Sequence, residues 1–222
     1  MKFTVSREDF LKPLQLVVGV VERRQTLPIL SNVLINLADG RLSLTGTDLE
    51  VEIVGHLQLD APAEGGDITV PARKLMDICR SLPDGADITF SEEGGRVLVT
   101  SGRSRFTLSS LPANEFPSVD DGPGKREFAI GQSELKQLIS HTSFAMAQQD
   151  VRYYLNGMLL EVGNNRARVV ATDGHRLAMM DVQVPSLDGE LTQAILPRKG
   201  VIELSRLLSD EGDVTVVLGN NH

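Results

Sequence analysis

Apolar and polar positions along the chain alternate, shift to a helical period and then alternate again, and this order recurs from end to end. Residues 2 to 5 alternate as a short strand, after which Phe10, Leu11, Leu14, Val17, Val18 and Val21 recur at helical spacing and form one apolar face. Ser6 stands three positions before Asp9 in a capping arrangement, and Pro13 is expected to kink the helix. Strands are predicted over Asn32 to Leu37, Arg41 to Thr45 and Glu50 to Leu59, with Ala38-Asp39-Gly40 as a hairpin turn. A second unit follows in the same order: strand Ile68 to Val70, a helix from Pro71 to about Leu82, the turn Pro83-Asp84-Gly85, then strands near Ile88 to Phe90, Arg96 to Thr100 and Arg105 to Ser109. Gly94-Gly95 and Ser101-Gly102 supply the turns between them.

The same order then begins again. The polar, turn-rich run Ser118 to Arg126 marks a domain boundary, giving domains at 1 to 120 and 127 to 222. Beyond it come strand Glu127 to Ile130, a helix from Ser133, strands Leu155 to Val162, Arg166 to Ala171 and His175 to Val182, strand Gln193 to Leu196, a helix from Pro197 to Leu208, and strand Val214 to Leu218. Landmarks repeat at a nearly fixed offset: Phe3 with Phe128, Asn32 with Asn156, Thr47-Asp48 with Thr172-Asp173, Pro71 with Pro197, Arg80 with Arg206. The chain is therefore expected to be α+β and duplicated, each domain comprising two strand-helix-three-strand units. On that alignment His222 meets Arg96, so the last two strands of the second domain are expected to be missing. Such a chain is either a fragment or one whose exposed sheet edge needs a partner.

With 222 residues and 41% apolar content, the chain has room for two separate cores. It carries no long apolar run, and Met1-Lys2-Phe3 enters a strand rather than a signal peptide, so membrane and secretory readings give way to a cytoplasmic one. The single cysteine, Cys79, sits at helical spacing among Leu75, Met76 and Leu82 and reads as a small core residue. Net charge is -8, which opposes a nucleic-acid partner on average. Distribution matters more than the total, because basic residues can gather on one face.

Two faces are candidates. Arg73, Asp77 and Arg80 on the first domain's second helix align with Lys199, Glu203 and Arg206, each trio opposite apolar residues that include Val201, Ile202 and Leu208 in the second copy. Spacing alone fits a solvated, ion-paired face as well as a positive surface; the recurrence, with Lys12 and Lys136 on the other helices, favours the surface. The loop Arg23-Arg24 and its counterpart Ala147-Gln148-Gln149 are within reach of a phosphate backbone.

The second face lies where the copies diverge. Leu49-Glu50-Val51-Glu52 becomes Gly174-His175-Arg176-Leu177, and period-two alternation turns Leu177 outward, unless a one-residue slip returns it to the core. Leu155 and Thr172 complete an apolar pocket rimmed by Arg152, His175 and Arg176, a pattern suited to peptide docking. Asp173 beside His175 invites a hydrolase reading. Asp48 repeats in a copy without histidine and no nucleophile accompanies the pair, so Asp173 reads as a turn residue. No metal-ligand spacing, phosphate loop or dinucleotide fingerprint is present, so no catalytic residue, metal or cofactor is expected.

Lys2 to Val5, Thr26 to Leu30, Leu42 to Glu50, Val70 to Lys74, Ser101 to Phe106, Gln149 to Met158, Ala171 to Ala178 and Pro197 to Gly200 closely resemble the bacterial DNA sliding clamp family, the beta subunits of DNA polymerase III. The resemblance covers the first two of that family's three domains; the third is absent. It implies a head-to-tail homodimeric ring, helices lining a channel around duplex DNA and sheets forming the outer wall. It further implies Arg24, Arg73, Arg80, Gln149, Tyr153, Tyr154, Arg198, Lys199 and Arg206 as DNA-facing residues, and Arg152, Leu155, Thr172, Gly174, His175, Arg176 and Leu177 as the cleft for peptides of DNA polymerase III, the clamp loader and other partners. Arg96, Arg103, Arg105, Phe106 and Leu108 match the first-domain side of the ring interface. The function implied is non-enzymatic processivity. The alternative, taken from the residues, is a peptide-binding adaptor with incidental DNA contacts.

Overall fold

The computed structural model describes residues 1–21, 27–117, 124 and 126–219. They form two compact units, Met1–Val119 and Asp120–His222. Unit 1 runs β1 (Lys2–Ser6), α1 (Arg7–Val18), β2 (Asn32–Ala38), β3 (Arg41–Thr47), β4 (Glu52–Gln58), β5 (Gly66–Pro71), α2 (Ala72–Ser81), β6 (Asp87–Glu93), β7 (Arg96–Ser101) and β8 (Ser104–Ser109). The order matches the periodicity, but the pairing crosses between the two repeats. One antiparallel sheet is β4-β3-β2-β5 and the other β1-β6-β7-β8, so each repeat lends its leading strand to the other. The repeats cannot fold independently, because each sheet takes its fourth strand from its neighbour.

Local chemistry sets the helix starts and its seating. The Ser6 hydroxyl accepts the backbone N–H of Asp9 at 3.1 Å, filling one of the open donors of the first turn of α1. Pro13 does not divide α1; it is buried within the helix, which lies across β3 and β4. Glycines make that approach possible. A Cβ added at Gly55 would lie 2.6 Å from the Pro13 Cβ, and one at Gly46 2.7 Å from Val17 Cγ1. Phe3 stacks on Phe90 at 4.7 Å and Phe10 leans on the same ring at 4.9 Å, tying α1 to the second sheet. Cys79 is fully enclosed in this core, and burial pushes its thiol up to about 12, which leaves it inert.

Unit 2 repeats the plan with β9 (Arg126–Gly131), α3 (Gln132–Thr142), β10 (Gly157–Gly163), β11 (Arg166–Thr172), β12 (Leu177–Gln183), β13 (Thr192–Pro197), α4 (Arg198–Leu207) and β14 (Asp213–Leu218). Register is kept as well as order: Gly157 faces Pro197 as Asn32 faces Pro71, and Leu159 faces Ile195 as Leu34 faces Thr69. Its second sheet holds two strands among the described residues, β14-β9, where unit 1 has four. Three expected spans begin late. Strands β4 and β12 begin at Glu52 and Leu177 because the preceding residues form a tight turn, and Tyr153–Leu155 form a 3-10 turn ahead of β10.

The seating of α1 on glycine is directly testable. Gly55→Ala places a methyl against a proline ring that has no rotamer to escape into, and should lower unfolding free energy by about 1–3 kcal/mol. Denaturant unfolding of the 222-residue chain measures it; an unchanged midpoint would mean that α1 lifts off the sheet at no cost.

Candidate functional site

The reversal between β11 and β12 is held by one carboxylate. Asp173 Oδ1 accepts the backbone N–H groups of His175 at 2.9 Å and Arg176 at 3.0 Å, while Oδ2 takes the Arg176 Nε at 3.0 Å. These amide bonds, that from Arg176 foremost, hold its carboxyl below the usual range. Thr172 Oγ1 accepts from Gly174 N at 3.1 Å and donates to Arg176 O at 2.7 Å. Unit 1 makes the same turn: Asp48 Oδ1 takes Glu50 N and Val51 N at 3.0 and 2.8 Å, and Thr47 Oγ1 takes Leu49 N at 3.0 Å. Asp173 is thus occupied by main chain and by Arg176 rather than by an imidazole, as a turn residue is. Gly174 occupies the left-handed region at φ 88°, where unit 1 holds Leu49 at φ 79°.

This turn fixes the register that pairs Thr172 with Leu177, and Leu177 points outward with 65% of its surface exposed. The slipped alternative, with Leu177 in the core, is therefore excluded. Beside it lies a cavity of about 270 Å³ lined by Tyr154, Leu155, Gly157, Leu159, Val170, Thr172 and Ile195. Leu155 is buried in its wall, and Ile195 is 49% exposed. The lip is the loop before β10. Asn156 Oδ1 accepts Asp150 N and its Nδ2 donates to Asp150 O, both at 2.8 Å, closing the loop on itself. Asp150 in turn grips the Arg152 guanidinium through two contacts of 3.0 and 2.9 Å. Arg152 then stands over the turn, 3.4 Å from where a Cβ on Gly174 would lie. Arg176 extends the other way, over the Phe144 ring at 5.6 Å, and His175 is exposed.

The basic residues spread over helices and loop. Arg73 and Arg80 are exposed on α2 and, with Gln15, Lys74 and Asp77, line a cavity of about 630 Å³ beside α1; Arg73 Nη2 also donates to Val21 O at 2.8 Å. Gln149 is exposed at a left-handed loop position, and Tyr153 and Tyr154 project at 81% and 50% exposure with ring centroids 5.9 Å apart. Arg198 and Lys199 begin α4 half-buried, and Arg206 is exposed near its end. Arg24 lies outside the described residues. The predicted phasing of α4 needs correction: Glu203 is buried at 8% and takes Arg206 Nη1 at 2.6 Å, while Ile202 is 37% exposed on the side of Arg198 and Arg206. The equivalent Met76 is covered because α1 and α2 run closely together; α3 and α4 approach over a shorter stretch.

These two features, a turn-bounded apolar cavity and helices bearing arginines, have direct relatives. A family model for the DNA polymerase III beta subunit N-terminal domain matches residues 1–120, and one for the central domain matches residues 129–222. The chain belongs to the DNA polymerase III beta subunit family. It is 62% identical over 223 residues to a beta sliding clamp of Pseudomonas putida and 56% identical over 225 residues to that of Escherichia coli, covering all of this chain and 61% of each relative. Among solved structures, a Pseudomonas aeruginosa sliding clamp bound to griselimycin superimposes with a TM-score of 0.95 at 62% identity, over 99% of this chain and 60% of that one. A Caulobacter crescentus beta clamp gives 0.90 at 41% identity, with the same coverage of both chains. The chain thus spans about 61% of the length of the curated relatives it matches.

Of the residues matched to a ring interface in beta subunits, Arg96, Arg103 and Arg105 are exposed and Phe106 is half-buried. Leu108 pairs with Val97 and is 6% exposed in the unit 1 core. Sequence reasoning missed Leu159, Val170 and Ile195 as cavity walls, although period-two spacing from Leu155 and Thr172 points to the first two. It also missed Asn156 as the residue that closes the loop.

The Arg152 contacts bring Asp150 down to about 2 from an ordinary 3.8. A depressed carboxyl stabilises the folded state above its ordinary value and loses that contribution as pH falls through the folded one, so the loop should hold until about pH 2. Carboxyl-detected NMR titration should place Asp150 there in the parent and higher, part of the way back to its ordinary value, in Arg152→Ala, which loses the guanidinium but keeps the backbone amide. An unshifted midpoint in the variant would show that Arg152 does not hold the loop.

Proposed function

We propose that this chain contributes the N-terminal and central domains of a non-catalytic sliding clamp, which encircles duplex DNA as a head-to-tail homodimer and tethers the replicative polymerase, the clamp loader and other partners by short peptides. The match to beta sliding clamps along the whole chain carries this reading. The apolar cavity supports the peptide half, because a side chain buried there gains about 1.5–3 kcal/mol while Arg152, His175 and Arg176 offer polar contacts at the rim. Leu155, Thr172, Gly174 and Leu177 complete that cleft. Arg73, Arg80, Gln149, Tyr153, Tyr154, Arg198, Lys199 and Arg206, together with Arg24, form the DNA-facing set. Arg96, Arg103 and Arg105 are the exposed part of the proposed ring contact. The acidic total is compatible with a DNA partner because retention by a ring is topological, so individual phosphate contacts can stay weak enough for sliding. Among the described residues no helix is long and apolar enough to cross a membrane, and a cytoplasmic location fits a replication factor.

An assembled clamp carrying these residues should stay on closed circular DNA and slide off linear DNA; equal retention on both would remove topological binding. Leu155→Ala with Leu177→Ala should weaken partner-peptide binding at least about tenfold and leave DNA retention unchanged. If that pair left peptide binding intact, the cavity would not be the docking site. For the 222-residue chain alone, each phosphate contact removed should reduce the log-log salt slope of DNA binding by about 0.9. Salt-independent association would contradict the basic-face assignment.

A further inference from the structure

Both units build the same groove, and one of them is already filled. In unit 2 the groove floor is the cross-strand row Ile195, Leu159 and Val170 on β13, β10 and β11, with the 3-10 turn Tyr153–Leu155 at its lip. The matching row in unit 1 is Thr69, Leu34 and Thr45 on β5, β2 and β3, with the 3-10 turn Pro28–Ser31 in the same place. There the chain leaving β8 covers it. Leu111 and Phe116 pack with Ile29, Leu30 and Leu34 as a separate apolar cluster apart from the main core. Thr69 Oγ1 donates to Leu111 O at 2.7 Å and accepts Leu111 N at 3.1 Å, so one hydroxyl satisfies both polar groups of that residue's main chain. A short 3-10 turn, Ala113–Glu115, spaces the leucine from the phenylalanine.

We propose that Leu111–Phe116 is a built-in ligand of a docking groove in unit 1, and that its release gives this unit a second binding site for a short peptide carrying a leucine and an aromatic residue five positions apart. The inference rests on the peptide-docking reading of the unit 2 groove. It also assigns the two grooves different chemistry. The unit 1 floor offers the Thr69 hydroxyl to the main chain of its occupant, whereas the unit 2 floor has Ile195 at that position and rewards apolar side chains alone. The covering segment holds its groove as an intramolecular ligand, at an effective concentration that a free peptide does not reach.

The probe is a labelled synthetic peptide of residues 110–117, titrated into the 222-residue chain and its variants, with stoichiometry read by native mass spectrometry and folding by circular dichroism. Leu111→Ala with Phe116→Ala should bind one more peptide per chain than the parent, and adding Leu34→Arg should abolish that extra site. A folded double variant that binds no more than the parent overturns the proposal, as does an extra site that Leu34→Arg leaves intact. Should the double variant unfold, Phe116→Ala alone, which keeps both Leu111 contacts with Thr69, decides: a weaker extra site supports the proposal and none overturns it. A parent that binds nothing beside a variant that binds one peptide supports the proposal, the 110–117 peptide being matched to the unit 1 floor and not to that of unit 2.

Discussion

A carboxylate bonded to two consecutive backbone amides sets the geometry on which the functional face depends. At Asp173, as at Asp48, the side chain substitutes for a partner strand at the sheet end and locks the reversal, so the register of the returning strand admits no slip. With register fixed, side-chain parity follows, and parity decides whether a residue enters the core or faces solvent. Leu177 faces out for this reason alone. A slip of one residue would bury it and empty the rim of the cavity. The turn also leaves space at its apex, which Gly174 uses to let the Arg152 guanidinium approach and which unit 1 fills with a strained leucine.

The apolar row at that sheet end imposes a second constraint, because an exposed strip of aliphatic side chains is stable in water only at a cost that grows with its area. The two units meet it differently. Unit 1 lays Leu111 and Phe116 of its own chain across the row, whereas unit 2 leaves Ile195, Met179 and Leu177 open to solvent. Duplication therefore supplies an internal comparison: matching sheet positions, covered by the chain's own Leu111 and Phe116 in unit 1 and exposed in unit 2. The loop closed by Asn156 adds economy, since Tyr154 and Leu155 line the cavity while Gln149 and Tyr153 are exposed on the same short stretch.

Much of this was legible in the sequence, for local reasons. Strand and helix periods are set by which face is buried, so α2 and the starts of α1 and α3 fell within a residue of expectation and most strand ends within two, and the outward turn of Leu177 followed from a phase shift against the first copy. What the chain concealed was non-local. Nothing in Lys2–Ser6 says that it pairs with β6 instead of the strands that follow it, because pairing partners are chosen by the closed core and not by the strand. The environment of α4 failed for a related reason: transferring the α2 pattern assumed equal helix-helix contact, and the looser approach of α3 exposes Ile202 and lets Glu203 withdraw onto Arg206.

The central claim is that unit 1 covers its groove with its own chain while unit 2 leaves the matching face open, and solvent accessibility of the methyl groups tests it most directly. In methyl-labelled protein exposed to an inert paramagnetic cosolute, the Ile195 and Leu177 signals should broaden strongly while those of Ile29 and Leu30 stay sharp. Equal broadening at the two sets of methyls would contradict the account.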